Sequence, residues 1–181
     1  MVSRTMWVFG YGSLLWSPGF EPAGIVPARL HGWRRSFCML STSYRGSATA
    51  PGLVLALDRD EAGWCDGLAL RLPEAGRDTV LAALRARELN ASGYREHELP
   101  LALHGGGEVR ALAYVIDRSH AHYCPLTPAE QAGRIARARG ARGANADYLG
   151  ETVAALARLG LHDPELEALW TQVRALGAAG G

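Results

Sequence analysis

The order of patterned segments predicts an α+β fold, with strands mainly in the first two thirds of the chain and helices in the last third. Short apolar or alternating runs, bounded by glycine, proline and aspartate, fill the chain up to about residue 117. After about residue 127, apolar residues recur three and four positions apart, the period of a helix with one buried face. No repeat, linker or composition break divides the 181 residues, so a single domain covering 1–181 is expected.

Trp7-Val8-Phe9 reads as a strand that runs directly into Gly10-Tyr11-Gly12-Ser13-Leu14-Leu15-Trp16. Two glycines flanking a tyrosine permit a sharp turn and a close backbone approach to a ligand, because no Cβ stands in the way. Successive N–H groups in such a turn can form a concavity suited to a carboxylate or a developing oxyanion. A dinucleotide fingerprint would need glycine where Leu15 stands, and a phosphate loop would need Gly-Lys-Ser/Thr where Trp16-Ser17-Pro18 stands. Nucleotide binding is therefore not expected.

Residues 26–40 can hold one or two strands, with a break around His31-Gly32. Leu53-Val54-Leu55-Ala56-Leu57 has the form of a buried strand; the turn-forming residues 58–63 follow, and 65–72 reads as its hairpin partner. Between 73 and 89 the period changes to helical through Val80, Leu81 and Leu84, placing Glu88 near the C-terminal end of that helix. Residues 94–103 and 109–117 alternate, and Gly105-Gly106-Gly107 between them suits a hairpin connection. Thr127-Pro128-Ala129-Glu130 is a helix start, with Thr127 as N-cap, Pro128 in the first turn and Glu130 completing a capping box. A second late helix is expected over about 144–159, stopped by Gly160. Asp163-Pro164 opens a third, with Leu166, Leu169, Trp170, Val173 and Leu176 along one stripe, and the end from about Gly177 to 181 is expected to fray.

A net charge of +1 gives no global attraction to nucleic acid or to a membrane surface. Arg134, Arg137, Arg139 and Arg142 cluster, but cations at a helix C-terminus are ordinary complements to its partial negative charge, so no nucleic-acid role is expected. Three cysteines, Cys38, Cys65 and Cys124, cannot all pair and follow no disulfide spacing, which suits reduced thiols in a cytoplasmic protein. Arg4 precedes an apolar stretch, yet Gly10, Gly12 and Ser13 interrupt it, so neither a signal peptide nor a membrane span is expected. His120, His122 and Cys124 are potential zinc ligands, but with no second cluster to complete a tetrahedral set an ordinary loop is expected and no metal.

Val8-Phe9-Gly10-Tyr11-Gly12-Ser13-Leu14-Leu15-Trp16, followed by Pro18-Gly19-Phe20, resembles the opening of the ChaC-like γ-glutamylcyclotransferases. Further segments are similar in the same order: Gly32-Trp33-Arg34-Arg35-Ser36-Phe37-Cys38, Ser41-Thr42, Arg45-Gly46 and Pro51-Gly52-Leu53-Val54. Arg87-Glu88-Leu89 with Gly93-Tyr94 comes next, then Ala138-Arg139-Gly140 and Asn145-Ala146-Asp147-Tyr148-Leu149. Ser43-Tyr44 departs from the Asp-His expected before Arg45-Gly46.

The resemblance implies a small β-barrel with surrounding helices. It also implies a cofactor-independent lyase that releases 5-oxoproline from a γ-glutamyl amide, with glutathione as the substrate and Cys-Gly as the other product. Other γ-glutamyl amino acids or amines are the alternative substrates, and a non-catalytic γ-glutamyl-binding module is the alternative class. The substrate's own amino group is the nucleophile, so ring closure is intramolecular and folding the substrate back supplies much of the acceleration. One carboxyl group can take the ammonium proton and return it to the departing amine. By resemblance that group is Glu88, and burial in a partly apolar pocket should raise its pKa toward neutrality. Tyr11, Gly12, Ser13 and Leu14 are the implied cradle for the γ-glutamyl end, Arg45 a partner for a substrate carboxylate, and Tyr148 a hydroxyl donor to the same pocket.

Overall fold

The computed structural model describes residues 5–89 and 93–179, and every structural statement below concerns those residues. They form two compact units, the first from residues up to Arg35 with Leu57–Asp117, the second from Ser36–Ala56 with residues from Arg118 on.

Five strands form a closed barrel: β1 (Trp7–Gly10), β2 (Gly24–Ser41), β3 (Gly52–Arg71), β4 (Tyr94–Leu103) and β5 (Glu108–Ile116). β1 is short because it is apolar only over Trp7-Val8-Phe9, and Val8 and Phe9 are fully buried. It pairs antiparallel with β3, Val8 opposite Leu70, and parallel with β5, Val8 opposite Leu112, which closes the ring. β4 and β5 form the expected hairpin, in register from Tyr94↔Ile116 to Ala102↔Glu108. Gly106 and Gly107 carry φ of 94° and 89° in its turn, the left-handed region open to glycine, and the Leu103 N–H closes it on the Gly107 carbonyl.

One expectation fails here. Residues 58–63 do not turn; β3 continues through them as a single strand of 20 residues. Asp60, Glu61, Ala62 and Trp64 are exposed or half-exposed, so polar composition there reflects a strand passing through solvent rather than a chain reversal. β2 is likewise one strand across His31-Gly32, with Gly32 at φ 80° and its carbonyl accepting from Arg59 Nη1 at 3.2 Å. Helix α1 (Arg77–Leu89) completes the first unit and carries Glu88 in its last turn, as expected.

In the second unit, α2 (Pro128–Arg137) begins at the expected capping box: the Thr127 side chain accepts from the Glu130 N–H, and the Glu130 carboxylate accepts from the Thr127 N–H. A two-residue pair follows, β6 (Arg139–Gly140) with β7 (Gly143–Ala144), which the sequence did not signal. α3 (Asn145–Arg158) ends at Gly160, φ 67°, in agreement with the stop expected there. Gly150 on α3 faces the Trp170 ring so closely that a Cβ would lie 3.0 Å from it. That residue belongs to α4 (Pro164–Ala179), which buries Leu166, Leu169 and Val173 of the expected stripe and leaves Leu176 exposed. α4 is helical through Ala179, and residues 180–181, part of the end expected to fray, lie outside the described range. No described helix is long and apolar enough to cross a membrane.

Candidate active site

The turn after β1 is held from several directions. Ser13–Leu15 forms one 3-10 turn closed by the Leu15 N–H on the Gly12 carbonyl at 2.9 Å. Gly10 and Gly12 do not use positive φ; Gly12 sits at φ −128°, ψ −126°, neither helical nor extended. Glycine at 10 instead serves packing, since a Cβ there would meet Leu14 Cβ at 3.3 Å and Leu70 Cδ1 at 3.4 Å. Tyr11 is buried and fixed at both ends: its hydroxyl donates to the Tyr114 carbonyl at 2.7 Å, and its own carbonyl accepts from Arg35 Nε at 2.7 Å. Arg35 is itself buried and also donates to the Asp66 carbonyl.

Among the described residues no acceptor is found for the N–H groups of Gly12, Ser13 and Leu14. Gly12 and Leu14 are buried residues, and a buried backbone donor without a partner is costly unless a ligand or water supplies one. The turn thus presents donors for which the described residues show no acceptor.

Glu88 lies beside this turn. Its side chain is 14% exposed, and Oε1 is 3.1 Å from Arg87 Nε. The same guanidinium donates through Nη2 to Ser13 Oγ at 2.7 Å and through Nη1 to the Ser17 carbonyl at 2.8 Å. One arginine therefore touches both the carboxylate and the turn. Burial pushes the Glu88 pKa above the ordinary glutamate value, while Arg87 pulls it partly back.

Three further groups share this region: Tyr114, Glu96 and Arg85. The Tyr114 hydroxyl donates to Glu96 Oε2 at 3.2 Å, and Arg85 grips Glu96 through Nε and Nη2 at 2.9 and 2.7 Å. Burial, then Glu96 and then Glu88 drive the Tyr114 pKa upward, which keeps that phenol protonated as a donor at neutral pH. Arg85 holds Glu96 below the usual carboxylate range. Two carboxylates near one another thus have opposite tendencies, Glu96 toward permanent charge and Glu88 toward protonation; such divergence separates a structural anion from a proton-transferring group.

Arg45 and Tyr148 come together in the second unit. The Arg45 guanidinium lies 5.5 Å from the centre of the Tyr148 ring, donates to the Ala144 carbonyl at 3.2 Å and reaches Glu151 Oε2 at 3.5 Å. Tyr148 is buried, edge-on to Phe37. In the departing segment, the Ser43 and Tyr44 carbonyls accept from the Ala141 and Arg142 N–H groups at 2.8 and 2.9 Å. The Arg142 guanidinium stacks over the Tyr44 ring at 4.6 Å, and Arg134 donates to the Pro51 carbonyl, which accounts for half of the arginine cluster.

Three residues that the sequence reading passed over build these surroundings. Arg35 pins the turn, Arg87 joins it to Glu88, and Asn145, fully buried, accepts from the Leu53 N–H and donates to the Leu53 carbonyl, each at 2.7 Å. All three stood within segments that resemble the family, so their position was visible while their partners were not. His120 Nδ1 accepts from the His122 N–H at 3.1 Å, and no group of three described His, Cys, Asp or Glu residues is arranged to hold a metal ion. A concavity of about 750 Å³ along α2, lined by Pro51, Leu126, Ala129, Gly133, Arg134 and Arg137, includes two of the clustered arginines but none of the candidate site residues Tyr11, Gly12, Ser13, Leu14, Arg45, Glu88 and Tyr148.

Comparison with known proteins identifies the family of the chain. The family model described as ChaC-like protein matches residues 6–176. The chain is 38% identical over 172 residues to the glutathione-specific gamma-glutamylcyclotransferase of Escherichia coli, covering 94% of this chain and 74% of that protein. It is 34% identical to the Schizosaccharomyces pombe protein of the same description, covering 91% of each. Among solved structures, the yeast gamma-glutamyl cyclotransferase specific to glutathione superposes with a TM-score of 0.86 at 25% identity, covering 96% of this chain and 97% of that one. A more distant gamma-glutamyl cyclotransferase, with a TM-score of 0.57 at 16% identity over 92% of this chain and 86% of that one, shares the fold. A match that runs through both units, with the turn and the Arg87-Glu88 pair inside it, makes this chain a member of the ChaC-like family.

Proposed function

We propose that the protein is a glutathione-specific γ-glutamylcyclotransferase, a lyase that converts glutathione into 5-oxoproline and Cys-Gly without a cofactor. The observation that carries this reading is the Arg87 guanidinium reaching Ser13 Oγ at 2.7 Å and Glu88 Oε1 at 3.1 Å, which sets a largely buried carboxylate beside a turn whose N–H groups have no acceptor among the described residues. The names of the E. coli and S. pombe relatives supply the substrate.

In this reading the N–H groups of Gly12, Ser13 and Leu14 and the Ser13 hydroxyl receive the γ-glutamyl end, with Tyr11 fixing the turn. Glu88 removes a proton from the α-ammonium group, and the freed amine attacks the γ-carbonyl carbon. The carbonyl oxygen becomes an oxyanion, which donors aimed at that position stabilise by about 3–4 kcal/mol each. The tetrahedral intermediate collapses, the amide C–N bond breaks, the protonated Glu88 returns its proton to the departing Cys-Gly amine, and the second proton released by the ring nitrogen follows to that amine, which leaves as an ammonium group. A carboxyl with a raised pKa suits both halves of the shuttle, and atoms balance without water. Arg45 and Tyr148 enter as substrate-binding residues on the resemblance alone.

One domain spanning both units is part of this proposal, supported by a family model that runs through both. A cytoplasmic setting is supported by three cysteines that form no disulfide among the described residues. The test is a substrate panel: purified protein with glutathione, γ-glutamyl amino acids and γ-glutamylamines, following 5-oxoproline. Glutathione should be turned over fastest. Preference for another γ-glutamyl compound would reassign the substrate, and binding without product would replace the enzyme with a γ-glutamyl sensor.

A further inference from the structure

We infer that Arg87 is the positioning residue of this site: its guanidinium locks the Ser13 hydroxyl and the Glu88 carboxylate into one frame. The inference rests on the reading of Glu88 as the proton carrier and adds a group that does not itself react.

The guanidinium is a planar fork, and each of its three nitrogens has a separate partner. Nη1 anchors it to the Ser17 carbonyl, beyond the 3-10 turn; Nη2 holds Ser13 Oγ; Nε holds Glu88 Oε1. These contacts bridge residues 74 positions apart, so the last turn of α1 and the turn after β1 move as one piece. Accepting from Arg87 occupies one lone pair of Ser13 Oγ and leaves the hydroxyl hydrogen to donate elsewhere. Ser13 is thereby presented as a donor, the polarity that an anionic carboxylate or a forming oxyanion requires.

The second consequence is electrostatic. Among the described residues, Arg87 on its own helix is the charged group acting on Glu88, and Glu88 acts in turn on Tyr114 of β5, which also feels Glu96 on β4 and Arg85 on α1. Arg85 is paired with Glu96, and Tyr114 is a neutral phenol bonded to Glu96. Arg87 is then the cation that acts on the Glu88 carboxylate and opposes the upward push of burial. Too much opposition would fix the carboxylate as an anion; none would leave it protonated. A partly exposed arginine at 3.1 Å gives an intermediate pull.

The experiment compares wild type with Arg87→Met, Arg87→Lys and Glu88→Gln. 5-Oxoproline release from glutathione is followed from pH 5 to 9, and the Glu88 carboxyl is titrated directly by carbon NMR. Arg87→Met should lower kcat/KM by roughly 10²-fold, the cost of a misplacement of about 1 Å. It should also move the acid limb of the pH profile and the NMR titration of Glu88 to higher pH, because the opposing cation is gone. Arg87→Lys keeps the charge without the fork, so it should keep the titration near wild type while losing about tenfold in kcat/KM. Unchanged kinetics and an unchanged Glu88 titration in Arg87→Met would overturn the inference, as would a uniform loss in both variants with no shift in Arg87→Met. Those results are distinct from failure of the underlying reading, which would appear as full turnover by Glu88→Gln or none by wild type.

Discussion

Replacing Asn145 by alanine should destabilise the protein severely although no chemistry is assigned to that side chain. Asn145 is fully buried; its Oδ1 accepts from the Leu53 N–H and its Nδ2 donates to the Leu53 carbonyl, both at 2.7 Å. The amide thus pairs with Leu53 as a neighbouring strand would. Gly52 shows how tight the fit is, since a Cβ there would fall 2.6 Å from Asn145 Oδ1 and 2.2 Å from the Arg45 carbonyl. Alanine orphans one buried donor and one buried acceptor, at about 1–3 kcal/mol each. The central value of about 4 kcal/mol is a large part of the roughly 5–15 kcal/mol that a domain has in total. For a chain of this size each kcal/mol moves the melting point by about 2–4 °C, so a fall of roughly 8–16 °C is expected by calorimetry or circular dichroism. Asn145→Asp adds a sign test: its ionised carboxylate cannot donate to the Leu53 carbonyl, whereas its protonated form can. The gap between that variant and wild type should narrow on acidification from pH 8 to pH 5. A melting point for Asn145→Ala within about 2 °C of wild type would refute the pairing argument.

Two other outcomes follow from the same coordinates. Tyr11→Phe removes a hydroxyl bonded to the Tyr114 carbonyl at 2.7 Å, so it should cost about 1 kcal/mol of stability while leaving turnover within a few-fold of wild type; a loss of 10²-fold or more would put that hydroxyl in the chemistry instead. Glu88→Gln should raise the melting point near neutral pH. Burial lifts the folded-state pKa of Glu88 above its ordinary 4.5, so wild type loses stability as pH rises from there through the folded value. The advantage of the glutamine variant should disappear by about pH 4, where both side chains are neutral, and a wild type more stable than the variant at neutral pH would reverse the argument.

What the sequence disclosed was local. The capping box at Thr127 and Glu130, the glycine turn between β4 and β5, and the place of Glu88 at the end of α1 each depend on neighbours a few residues apart, and each appears in the structure. The misread stretch at 58–63 shows the limit of that logic. Aspartate and glycine signal a reversal when strands are short, but a strand of 20 residues can carry them across an exposed span. The site was legible only through resemblance, because its geometry depends on partners remote in sequence. Arg35 and Tyr11 are 24 apart, Arg87 and Ser13 are 74 apart, and Asn145 and Leu53 are 92 apart. Periodicity carries no signal for such pairs. The packing role of Gly10, which makes room for Leu14 and Leu70, was likewise not visible in the sequence.

Proton transfer through the Glu88 carboxylate is most directly tested by one comparison: the rate of 5-oxoproline formation from glutathione by wild type and by folded Glu88→Gln, side by side at neutral pH. The account predicts product from wild type and a rate lower by roughly 10²–10⁴-fold in the variant, the usual contribution of a positioned acid-base group. Equal rates from the two proteins would contradict it.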